Sequence, residues 1–178
     1  MFTNYQMNRV INNVPGCSNK QRVGRAALNL PENKWPGGLV TYELTNEIPE
    51  DEKVKIRNAL QQLQTKVNSC IRFKETTSEY RILVKRHQDS HMSSSYVGYL
   101  ANQFKASGGQ ELKLGSLNDE VTIWHEFLHA VGLEHTMARE DRNNYVEILW
   151  DNVLQGNMVH KHYRQALLRR NIILSFIL

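Results

Sequence analysis

Residues 125–135 read His125-Glu126-Phe127-Leu128-His129-Ala130-Val131-Gly132-Leu133-Glu134-His135. Two histidines four positions apart lie one above the other on a helix face, so both imidazoles reach a single ion. The preceding residues supply the helix. Ser116 or Asn118 stands at the N-cap, Asp119 and Glu120 fall in the first turn, and Val121, Trp124, Phe127, Leu128 and Val131 carry the apolar face. Gly132 ends it. Glu126, next to the first histidine, sits about 100° around the helix axis, where a carboxylate meets a metal-activated water without ligating the metal. Two helical imidazoles leave a tetrahedral zinc ion short of a third protein ligand, and His135, three residues past the glycine, supplies one. A surface helix can show two histidines by coincidence, but the glycine and third histidine in register extend the pattern to H-E-x-x-H-x-x-G-x-x-H. The expected site is one zinc ion per chain on His125, His129 and His135, with Glu126 as catalytic base and water as nucleophile.

Working outward, Leu39 to Leu44 alternates as a first strand. Pro49-Glu50-Asp51-Glu52 places a proline and acids where a helix begins, and Val54, Ile56, Ala59, Leu60, Leu63 and Val67 predict a helix over 49–68. Cys70–Phe73 and Arg81–Lys85 read as short strands. Ser95–Leu100 and Glu111–Leu114 read as weaker ones, parted by a turn at Gly108-Gly109. The order strand, helix, strands, helix predicts an α+β fold, two helices packed on one mixed sheet.

A chain of 178 residues fits one domain. The net charge of +4 resides at the ends: Arg9, Lys20, Arg22 and Arg25 lie in residues 1–25, and Lys161, Arg164, Arg169 and Arg170 in residues 160–178, neither segment holding an acid. The body, residues 26–159, therefore nets −4. A basic surface for nucleic acid is not expected. The longest apolar run, Ile172 to Leu178, is too short to span a bilayer, so no membrane partner is expected either. The opening MFTNYQMNRVINNVPGC lacks the apolar stretch of a secretory signal. Residues 1–25 read as a pro-segment or disordered arm, and residues 160–178 as an atypical basic, then apolar, tail.

The third histidine continues as Thr136-Met137-Ala138-Arg139-Glu140-Asp141-Arg142-Asn143-Asn144-Tyr145-Val146. Upstream stand Arg25-Ala26-Ala27, Trp35-Pro36-Gly37-Gly38-Leu39-Val40-Thr41-Tyr42, Cys70-Ile71-Arg72-Phe73 and Ser95-Tyr96-Val97-Gly98. Together these strings resemble the astacin family of zinc endopeptidases, over roughly Arg25 to Val159. The resemblance implies an astacin-like catalytic domain, amino-terminal part, over 26–159. It is a metzincin, zincin-like subdomain with a twisted mixed sheet, two helices and zinc at the cleft floor. It further implies hydrolysis of peptide bonds in an extended substrate paired with an edge strand at Tyr96–Leu100, and a secreted, extracellular location.

The sequence also departs from that pattern. Thr136 replaces the family's glutamate after the third histidine, and Ser93 and Leu117 stand where two cysteines staple the sheet. The partner that the family gives Cys70 is missing. After Asn157 nothing resembles the Met-turn or the tyrosine near the metal, so the carboxyl subdomain is expected to be largely missing. The alternative function is therefore a truncated, catalytically weak or inactive chain that still binds zinc. Cys17 can ligate zinc or pair with Cys70, and both readings stay open. His87, His91, His160 and His162 are expected on the surface, and Arg139, Asp141 and Arg142 to buttress their loop by ion pairs.

Overall fold

The computed structural model describes residues 31–115, 119–135, 144 and 174–177. Leu39–Leu44 forms β1 and buries Val40, Tyr42 and Leu44, the apolar side of the predicted alternation. Helix α1 spans Glu50–Lys66. Pro49 precedes it, and the acids Glu50, Asp51 and Glu52 stand against the positive end of its dipole. Its apolar stripe, Ile56, Ala59, Leu60 and Leu63, is buried. The chain leaves α1 through Asn68 and Ser69, both left-handed, with φ of 52° and 56°.

The remaining elements are β2 (Arg72–Glu75), β3 (Arg81–Arg86), β4 (Met92–Ser95), the short helix α2 (Ala101–Phe104), β5 (Gly109–Leu114), α3 (Glu120–Val131) and β6 (Leu174–Ile177). The strands lie in the order β2-β1-β3-β5-β4-β6. β1 runs parallel to β2 and β3, β3 parallel to β5, and β4 antiparallel to β5 and β6. The sheet is mixed and the fold α+β, as expected.

Three expectations shift. The strand predicted over Ser95–Leu100 lies earlier, at Met92–Ser95, because the left-handed Gly98 (φ 82°) turns the chain out of the ladder. The Gly108-Gly109 turn is preceded by α2 and a single 3-10 turn, Lys105–Ser107. Gly109 itself opens β5, where a Cβ would come within 2.0 Å of the Arg81 carbonyl oxygen, so no larger residue fits. The N-cap of α3 is Asp119, whose carboxylate accepts from the Val121 N–H at 2.9 Å, rather than Ser116 or Asn118. Within the apolar tail, Leu174–Ile177 forms a strand along β4. The expectations for Cys17, Thr136, Arg139, Asp141, Arg142, His160, His162 and the carboxyl subdomain lie outside the described residues.

Helices α1 and α3 pack together against the sheet. The Trp124 indole donates to the Ala59 carbonyl at 2.8 Å, and the Lys66 ammonium lies 5.2 Å from the centre of the Trp124 ring. Phe127 meets Tyr42 and Phe73 edge-on, with ring centroids 5.9 and 5.7 Å apart. The residue between the two histidine turns thus anchors α3 in the core.

Candidate metal centre

Helix α3 presents His125 and His129 one turn apart and ends at Gly132, which is left-handed at φ 113°. The Gly132 N–H donates to the His129 carbonyl at 2.8 Å, and the Leu133 N–H reaches back to Leu128 at 3.0 Å. This paired closure, with Leu128 and Leu133 both buried, reverses the chain within two residues. His135 returns on the helix face that carries the other two. The Nε2 atoms of the three imidazoles lie 3.0, 3.1 and 3.2 Å from one another. The sequence-predicted triad is therefore assembled, and among the described residues no other group of three potential metal ligands comes together.

The donor set fits zinc. His129 is almost wholly buried, and its Nδ1 lies 2.6 Å from the Leu133 carbonyl oxygen. A carbonyl only accepts, so Nδ1 carries the proton and Nε2 turns a lone pair to the centre. Burial, reinforced by the neighbouring histidines, pushes His125 down to about 4 and His135 down to about 3. Burial lowers His129 as well, against the opposing pull of its bond to Leu133. Neutral imidazoles are the form that ligates a metal.

Glu126 is 5% exposed, and burial pushes its carboxyl up to about 8. Its Oε2 has no hydrogen-bond partner among the described residues. In the metal-free protein this carboxyl, one residue from the first histidine, therefore keeps its proton at neutral pH. Glu134, half-buried beside His135, is also raised by burial.

Three contacts that hold this centre could not be read as contacts from the sequence. The Trp35 indole donates to the Ala130 carbonyl at 2.8 Å, tying the turn Trp35-Pro36-Gly37-Gly38 to the end of α3. The Gly98 N–H donates to the His129 carbonyl at 3.0 Å. The Leu133 carbonyl sets the His129 tautomer. Each is a backbone group meeting a side chain or another backbone group, and sequence spacing pairs none of them. His87 bonds within its own turn, its Nδ1 lying 3.0 Å from the Asp89 carbonyl and amide, and His91 is exposed. Cys70 is disulfide-bonded; the chain's other cysteine, Cys17, lies outside the described residues.

A mixed sheet carrying an H-E-x-x-H helix, closed by a glycine and a third convergent histidine, defines a zinc-metallopeptidase type of centre. Comparison with known proteins narrows this. Residues 27–169 match the family model Astacin, a family of peptidases. Zinc metalloproteinase nas-4 of Caenorhabditis elegans is 31% identical over 137 residues, a match covering 76% of this chain and 41% of that protein. Meprin A subunit beta of Homo sapiens is 35% identical over 124 residues, covering 69% of this chain and 16% of that protein. The solved structure of high choriolytic enzyme 1, a hatching enzyme zinc-protease from Oryzias latipes (Medaka fish), superposes with a TM-score of 0.61 at 27% identity, covering 75% of this chain and 66% of that one. The chain belongs to the astacin family, and its cofactor is zinc. It spans less than half the length of these two curated relatives.

Proposed function

We propose that this chain is a zinc-dependent endopeptidase, in which His125, His129 and His135 hold one zinc ion and Glu126 is the catalytic base. The observation that carries the reading is the convergence of three Nε2 atoms within 3.2 Å beside a buried carboxylate. Zinc, when bound, supplies Lewis acidity that lowers the pKa of water toward about 7 and polarises a carbonyl. Glu126 takes a proton from the attacking water at its Oε2 and returns it to the departing amine nitrogen. No covalent acyl intermediate is needed.

The substrate in this reading is an extended peptide laid along the sheet. The antiparallel strand β4 leads into the segment that grips His129 through Gly98, and so lies on the metal side. Its outer side already carries one extended segment in antiparallel register, the chain's own β6, and a peptide substrate takes that place. In this reading the peptide lies along Met92–Ser95 and the turn that continues into Tyr96–Leu100, the edge that the resemblance implied. The chain is placed outside the cell, in keeping with the disulfide at Cys70. Among the described residues no helix is long and apolar enough to cross a membrane.

Zinc content and cleavage of a quenched generic peptide, compared between this chain and Glu126→Gln, test the reading. One zinc per chain, with hydrolysis that the substitution abolishes, supports it. Zinc binding with no cleavage by either protein leaves a metal-binding, catalytically inactive chain instead.

A further inference from the structure

Among the described residues, a buried polar side chain with three hydrogen bonds lies outside the H-E-x-x-H string. Gln110, the second residue of β5, is 1% exposed. Its Nε2 donates to the Gly98 carbonyl at 2.8 Å. Its Oε1 accepts from the Leu100 N–H at 3.1 Å and from the Tyr80 hydroxyl at 2.9 Å. Burial, with Tyr99 adding to it, holds the Tyr80 hydroxyl protonated far above neutral pH, so it stays a donor.

The segment that Gln110 grips joins two working parts of the molecule. It leaves β4 at Ser95, and its Gly98 N–H donates to the carbonyl of His129. Tyr99 continues the clamp, its N–H meeting the Asn33 carbonyl at 2.7 Å and its ring packing edge-on against Trp35 and Tyr80 at 4.9 and 5.1 Å. One amide therefore fixes the turn at Gly98 and Leu100, on either side of Tyr99, while the Gly98 N–H is pinned to the metal helix.

We infer that Gln110 is a positioning residue for peptide docking, setting the register between β4 and the His129 end of α3. This rests on the endopeptidase reading for its substrate class, an extended peptide, but its geometry stands on the hydrogen bonds alone. A buried amide holding three hydrogen bonds is replaced poorly by an apolar group, because its former partners then lack bonds. The turn relaxes, and β4 no longer holds a bound peptide at a fixed distance from the histidines.

The test compares Gln110→Met with wild type in three measurements: zinc per chain, KM and kcat for the quenched peptide, and the Kd of a labelled non-cleaved peptide on zinc-loaded protein in a Glu126→Gln background. The expected result is KM and Kd raised about tenfold, kcat changed less than about threefold, and one zinc per chain retained. Tyr80→Phe, which removes the hydroxyl from Gln110 Oε1 and leaves both Gln110 bonds to Gly98 and Leu100 in place, is expected to lower the melting temperature and leave KM and Kd unchanged. If Gln110→Met fails to fold, Gly98→Ala perturbs the same turn through its left-handed backbone and is expected to raise Kd likewise. A Kd unchanged in the folded Gln110 or Gly98 variant, or raised equally by Tyr80→Phe, overturns the inference. A wild-type chain that binds peptide through Gln110 without cleaving it sinks the endopeptidase reading and leaves this one standing.

Discussion

Glu126 carries opposite demands in one side chain, since it must be buried to stand beside the metal yet must ionise to act. In the metal-free protein an ionised Glu126 is disfavoured, its value raised from 4.5 to about 8 by burial. Below pH 4.5 the group is protonated in both folded and unfolded chains and costs nothing. Between 4.5 and 8 the unfolded chain releases the proton that the folded one keeps, so rising pH erodes stability. Denaturant titrations of metal-free protein are expected to show Glu126→Gln more stable than wild type by on the order of 2–4 kcal/mol at pH 9. The difference should shrink to nothing near pH 4.5. A constant difference across that range would mean that Glu126 meets an unrecognised partner. The histidines work in the other direction: His125 and His135, held down at about 4 and about 3, take up protons more readily unfolded, so metal-free stability falls with acid below 6.5. That slope is common to both proteins and cancels in the comparison.

At the scale of elements, the glycine closing α3 does as much for the centre as the ligands. Gly132 holds φ at 113°, which an L side chain adopts only under strain. Gly132→Ala is expected to cost about 1–2 kcal/mol by thermal unfolding and to weaken zinc binding, because His135 no longer returns in register. An alanine variant with unchanged zinc affinity would show that the turn reforms by another route. This element was legible from sequence because its signals agree: an apolar face at helical spacing, acids at the start, glycine at the end. β4 was not. Met92-Ser93-Ser94-Ser95 has no apolar alternation to reveal a strand, and its pairing comes from neighbouring backbones instead. The four-residue α2 is too short for a period to register. Gln110 stood just outside the weak strand read over Glu111–Leu114, since hydrogen bonds to Gly98 and Leu100 leave no trace in residue spacing.

For the whole molecule, the motif and the core share one residue. Phe127 separates the two helical histidines by position and joins helix to sheet by packing, touching the rings of Tyr42 on β1 and Phe73 on β2. Phe127→Ala is expected to cost about 3–5 kcal/mol and to reduce zinc affinity in parallel, measured by denaturation with and without zinc. Loss of stability at constant affinity would mean that α3 holds its shape without the sheet. The triad itself spans eleven consecutive residues, His125 to His135. An ion bridging such near neighbours closes only short loops, and the entropy surrendered on closure is correspondingly small. For the gene this makes the donor set a compact cassette. Exchange of sequence downstream of His135 leaves every donor and the base encoded, whereas one residue inserted between His129 and His135 carries the third imidazole out of reach.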